Sequence, residues 1–144
     1  GEQAVRAISE GDVSEEALWH YNERVMDHFG ARYAGLDVYN VLSTAVDVDD
    51  LMGLLASLPG EKLAEALYSG TTSFGPTLLA KTAKDSFGYW GQILHFYKTK
   101  SLADELMEHY ARYPRRPEAL DVWQEQRDAL MDDIYEVTGA DAKY

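Results

Sequence analysis

The side chains best spaced to do chemistry together are acid–imidazole pairs. Glu16 with His20, and Glu105 with His109, lie four residues apart, which brings two side chains to the same helix face. A helical metal site would need a different spacing. The carboxylate-bridged di-iron bundles use Glu-x-x-His, whereas the residues three before His20, His28, His95 and His109 are Ala17, Val25, Gln92 and Leu106. No two histidines are four apart, so the zinc-protease helix is missing too. Both pairs read as links along exposed surfaces, and no metal ligand is assigned.

Other signatures fail on the same kind of evidence. The chain has neither G-x-G-x-x-G nor G-x-x-x-x-G-K-[ST], the glycine loops that cradle phosphates. Its serines sit in no nucleophile elbow. With no cysteine, disulfide frameworks, thiolate catalysis, zinc fingers and iron–sulfur clusters are excluded together. No catalytic residue and no cofactor-binding residue is therefore assigned. Two features are left. Phe87, Tyr89, Trp90, Phe96 and Tyr97 form an aromatic group that could line a site for a flat or greasy ligand, although core packing is the commoner use of such residues. Arg115-Arg116 is a local basic spot, read as neutralising a helix C-terminus rather than holding a phosphate.

The elements that must position these residues all read as helices, giving an all-α, multi-helix bundle of about six to eight helices. Residues 2–10 make a short helix with Ala4, Val5, Ala7 and Ile8 toward one side, broken at Gly11-Asp12. Ser14 caps the next, with Glu15 and Glu16 at its positive end. Leu18, Tyr21, Val25 and Phe29 recur at helical spacing as its apolar face, and Gly30 bends or ends it. Tyr33, Leu36, Tyr39 and Val41 continue beyond. Asp47 caps a helix carrying Leu51, Leu54, Leu55 and Leu58, which stops at Pro59-Gly60. A further helix is expected from about Glu61 to Tyr68, then a loop over 71–76, then one opened by Pro76. Phe87 to Tyr97 is apolar over most of its girth and so central or cavity-lining, with Gly88 and Gly91 suggesting a close neighbour. Ser101 is read as the cap of another helix, ended by Pro114. Pro117 suits the first turn of the last helix and Gly139 its end. There, Leu120, Trp123, Arg127, Leu130, Ile134 and Val137 form a heptad-like seam.

The composition bounds the function. At 144 residues, one domain with a sizeable core is the sensible prior. A formal charge of −12 disfavours nucleic acid, whose phosphates are held by Lys and Arg. The acids are spread along the chain, so an acidic tail is excluded. Two readings of the acidity stay open: adaptation to high salt, where self-repulsion is screened, and an acidic decoy that mimics DNA. No apolar run approaches the roughly 20 residues of a spanning helix. The first ten residues lack the cationic-then-apolar order of a secretory signal, so a cytoplasmic site is expected.

The opening pattern resembles one place in a known family. Gly1-Glu2-Gln3-Ala4-Val5-Arg6-Ala7-Ile8, followed by Gly11-Asp12-Val13-Ser14 and then Leu18 and Tyr21, is similar to FAD-dependent geranylgeranyl reductases and the related electron-transfer flavoprotein–quinone oxidoreductases. In that family a Gly-Glu-x-Ala-x-x-Ala-Ile helix follows the last FAD-contacting glycine loop, and a Gly-Asp-x-Ser-x-x-x-Leu-x-x-Tyr turn and helix opens the C-terminal region. The resemblance covers about the first 30 residues. It implies that residues 1–13 are the end of the FAD domain's terminal helix and its turn, and 14–144 the helical C-terminal domain of a larger α/β flavoprotein. The start at Gly1 rather than Met, already in helix, fits such a piece.

By that resemblance the parent binds FAD through glycines ahead of Gly1 and reduces isoprenoid double bonds, or passes electrons to a quinone-like acceptor. This segment would be inert alone, a helical cap walling a lipid-sized cavity with Phe74, Tyr89, Trp90 and Phe96. The implied partner is the rest of its own chain, with peripheral membrane contact. An acidic flavoprotein of isoprenoid metabolism would also suit a salt-loving archaeon. The alternative is a stand-alone acidic interaction module that dimerises through Leu120, Trp123, Leu130, Ile134 and Val137, with a carboxylate needed for Arg127.

Overall fold

The structure, a computed structural model, describes residues 1–57, 60–61 and 90–141, and every regular element among them is helical. In chain order these are α1 (Glu2–Glu10), α2 (Glu15–Val25), a π turn (Met26–Gly30), α3 (Ala31–Ala45), α4 (Val48–Ser57), α5 (Trp90–Ala111), a 3-10 turn (Pro117–Ala119) and α6 (Leu120–Thr138). The helices expected at 61–68 and after Pro76, and the loop between them, lie largely outside the described residues.

The stop and start signals work as local chemistry requires. Gly11 takes φ 71° after α1, and its N–H and that of Asp12 reach back to Ile8 and Ala7 carbonyls. The Ser14 hydroxyl accepts from the Ala17 N–H at 3.2 Å, and the Asp47 carboxylate accepts from Asp49 N–H at 2.9 Å. Pro117 opens the turn into α6, and Gly139, at φ 72°, closes it.

The described residues hold five continuous rods, where six to eight helices were expected of the whole chain. Of the two readings of Gly30, an end of the helix is not what is found. Gly30 closes a π turn that joins α2 to α3, and it is buried where a Cβ would stand 3.3 Å from the Tyr110 ring of α5. Ser101 likewise starts nothing, because α5 runs through it from Trp90 to Ala111 with Lys100 paired to Asp104.

The core lies where α3, α5 and α6 meet. Ala34 and Val38 pack with Ala103, Leu106 and Ile134, and Val38 and Ile134 have no exposed surface. Two buried hydroxyls are satisfied locally, Thr99 donating to the His95 carbonyl at 3.0 Å and Thr138 to that of Ile134 at 2.7 Å. The seam on α6 is used within the chain. Trp123 and Ile134 are buried, Leu120 and Leu130 pack beside them, and Arg127 pairs with neighbouring Asp128.

The largest departure concerns which face is inside. Leu18, Tyr21, Val25 and Phe29 do share one side of the rod, but Tyr21 is 54% exposed and Phe29 48%. The side turned inward carries Trp19, Glu23, Met26 and Gly30. On α1, Ala7 is buried while Val5 and Ile8 stand 67% and 71% exposed.

Candidate functional site

The expected cavity wall falls partly outside what is described. Phe74 and Tyr89 lie outside the described residues, as does the side chain of Trp90, whose backbone opens α5. Phe96 is half-buried and stacks on Tyr39 of α3, with ring centroids 5.8 Å apart and planes 25° from parallel. One residue earlier, the buried Nε2 of His95 has no hydrogen-bond partner among the described residues. The opposite side of the same two turns faces out, with Leu94 and Tyr97 about half-exposed. Among the described residues nothing stands within 4 Å of a Cβ at Gly91, and Gly88 lies outside them.

The other end of α5 is built around stacked rings. Trp19, Tyr113 and Trp123 form a second buried cluster, with Trp19 and Tyr113 stacked at 5.7 Å. The Trp19 indole N–H donates to the Pro114 carbonyl at 2.9 Å, tying α2 to the turn that follows α5. His109 stacks on Trp123, and its Nε2 lies 3.0 Å from the Trp123 carbonyl. A carbonyl only accepts, so Nε2 carries the proton. Burial raises the phenol pKa of Tyr110 and of Tyr113 above the ordinary value, an effect that Arg127 partly offsets at Tyr110.

The imidazoles therefore do not pair as their spacing suggested. His20 meets Glu23 at 2.6 Å instead of Glu16, and His109 is taken up by Trp123 instead of Glu105. Arg115, read with Arg116 as neutralising a helix C-terminus, makes its ion pairs with α2 and the π turn. It bonds Asp27 at 3.0 Å and lies 3.8 Å from the nearly buried Glu23 carboxylate. The Arg115 contacts join residues some 90 positions apart, so nothing local signals them, whereas His20 and Glu23 are three apart on one helix and their pairing was within reach of the spacing rule.

Two clefts lie beside α1. One of about 290 Å³ is lined by Gly1, Glu2, Tyr21, Arg24, Val25, His28 and Phe29. Another, of about 650 Å³, is bounded by Gly1, Val13, Glu15, Leu18, Trp19, Tyr21 and Asn22. Neither gathers a catalytic constellation, and the described residues hold no cluster of three potential metal ligands. They do not form a dinucleotide cradle either. Among the described residues the positive-φ glycines, Gly11 and Gly139, are spent as helix ends, and no glycine loop precedes a helix. No helix among the described residues is long and apolar enough to cross a membrane.

Comparison with known proteins gives one informative likeness. Over 130 residues, 87% of this chain, the sequence is 27% identical to the digeranylgeranylglycerophospholipid reductase of Sulfolobus acidocaldarius. The chain spans only 28% of that protein's length. No family model and no solved structure matches the chain.

Proposed function

We propose that this chain is the helical C-terminal part of an FAD-dependent oxidoreductase that saturates isoprenoid double bonds on a lipid. The observation that carries the reading is the 27% identity to a geranylgeranyl-lipid reductase, maintained over 87% of the chain. The geometry of the first 30 residues supports it: a helix ended by Gly11, then a Ser14-capped helix, realises the Gly-Glu-x-Ala and Gly-Asp-x-Ser pattern. The flavin, which supplies the reducing equivalents when bound, belongs to glycine loops ahead of Gly1. The role of the present residues is to enclose the apolar substrate and keep water from it. Phe74, Tyr89, Trp90 and Phe96 form the proposed wall.

The experiment is to purify the full-length gene product, record bound-flavin absorbance, and supply a geranylgeranyl glycerophospholipid with a chemical reductant. The expected result is a mass gain of one hydrogen pair per reduced double bond. Phe96→Ala should raise the substrate concentration needed for half-maximal rate without removing the flavin. A flavin-free protein, or one that leaves the lipid mass unchanged, overturns the proposal.

A further inference from the structure

α5 turns one stripe of side chains inward, in which Thr99, Ala103 and Leu106 are each no more than 1% exposed. His95 stands four residues before Thr99, on the same side of the helix, and the Thr99 hydroxyl donates to its carbonyl. The His95 Nε2 is buried there with no hydrogen-bond partner among the described residues. In that it stands apart from the other buried polar groups described. Glu23 meets His20 and Arg115, Thr99 and Thr138 donate to carbonyls, and the His109 Nε2–H goes to Trp123. A buried polar nitrogen left unmet costs about 1–3 kcal/mol, so its retention calls for a reason.

The reaction proposed above supplies one. Phe96, the next residue, belongs to the proposed substrate wall, and Trp90 of that wall opens the same helix. Saturating a double bond adds a hydride to one carbon and a proton to the other; the bound flavin supplies the hydride. The proton needs an acid inside a cavity that excludes water, and imidazole is the side chain that exchanges protons most readily near neutral pH. The buried phenols Tyr110 and Tyr113 are too far, at the other end of α5, roughly 20 Å along the helix. We propose that His95, as imidazolium, is the proton donor, its Nε2–H passing the proton to the isoprenoid carbon that receives no hydride. The inference rests on the reading of this chain as part of an isoprenoid-lipid reductase. The step balances. The carbon–carbon π bond and the Nε2–H bond break, two C–H bonds form, and the hydride donor is oxidised by two electrons. The neutral imidazole then regains a proton from solvent, to which the only partly buried residue keeps a route.

Two measurements on the full-length flavoprotein test this. The first compares kcat and KM of wild type and His95→Gln with a geranylgeranyl glycerophospholipid and a chemical reductant. Loss of a general acid is expected to lower kcat about 100-fold or more, with KM within about threefold and bound flavin unchanged. Added imidazole is expected to restore part of the rate to His95→Ala. A kcat within about threefold of wild type overturns the proposal, as does a loss confined to KM, which marks a lipid contact only. The second needs no turnover and no variant. Carbethoxylation of wild-type histidines is mapped by mass spectrometry with and without the saturated lipid, with exposed His20 as the reference. His95 is expected to react in the lipid-free protein and to be slowed several-fold by the lipid, while His20 is unaffected. A His95 that lipid does not protect, or that never reacts, overturns the proposal even where the variants fail to fold. The functional reading is scored separately. Lipid reduced at the wild-type rate by His95→Gln removes the proton donor and keeps the reductase, whereas a wild-type protein that leaves the lipid unchanged removes both.

Discussion

His109 and Trp123 hold each other through reciprocal hydrogen bonds. Their rings stack at 4.7 Å, the imidazole Nε2–H donates to the Trp123 carbonyl at 3.0 Å, and the indole N–H donates to the His109 carbonyl at 3.2 Å. The pair clamps α5 to α6 a few residues from the turn that carries Tyr113 and Pro114. Trp123→Phe removes one donor and leaves the His109 carbonyl without that partner. A loss of about 1–3 kcal/mol is expected in denaturant unfolding, and a change within a few tenths would show that the clamp carries no stability.

Large-to-small changes on α5 should separate its two faces. Leu106 is 1% exposed at the meeting point of three helices, so Leu106→Ala is expected to cost about 2–5 kcal/mol. Leu94 is 55% exposed, and Leu94→Ala is expected to stay within about 0.5 kcal/mol. Thermal melts of the two variants check the contrast, and equal losses would contradict the burial described for α5.

At high pH the buried phenols set the direction of change. Tyr110 and Tyr113 have pKa values raised above 10.0, chiefly by burial, so their neutral forms are favoured by the fold. The folded state then holds protons that the unfolded state has released. The stabilisation is full below the unfolded value near 10 and falls as pH rises through the folded one. Ultraviolet titration should show these two tyrosines ionising above the ordinary phenol range. Tyr113→Phe should flatten the alkaline loss of stability.

Salt should act the other way from its usual effect on ion pairs. With a formal charge of −12, net self-repulsion opposes folding, and the Debye length shrinks to about 3 Å at 1 M salt. The melting temperature is expected to rise between about 0.1 M and molar potassium chloride, as it would for a protein adapted to brine. A flat response would remove the salt-adaptation account of the acidity.

Local chemistry along the chain was sufficient for the helical class and for most helix ends. Gly11, Ser14, Asp47, Pro117 and Gly139 each act through atoms within a few residues, so their effect is legible without knowing the fold. Of the proposed cavity wall, only Phe96 can be placed, through a contact with Tyr39 that no local pattern announces. Which apolar stripe would turn inward was not legible. Leu18, Tyr21, Val25 and Phe29 keep helical spacing whether they meet a core or wait for a partner, because periodicity records a face and not its neighbour. That choice belongs to the tertiary structure: α3, α5 and α6 close on Val38, Leu106 and Ile134, Gly30 comes to lie under Tyr110, and Arg115 goes to Asp27. The reason is range. Caps and turns are decided within about one turn of helix, whereas burial and pairing depend on residues brought from far along the chain.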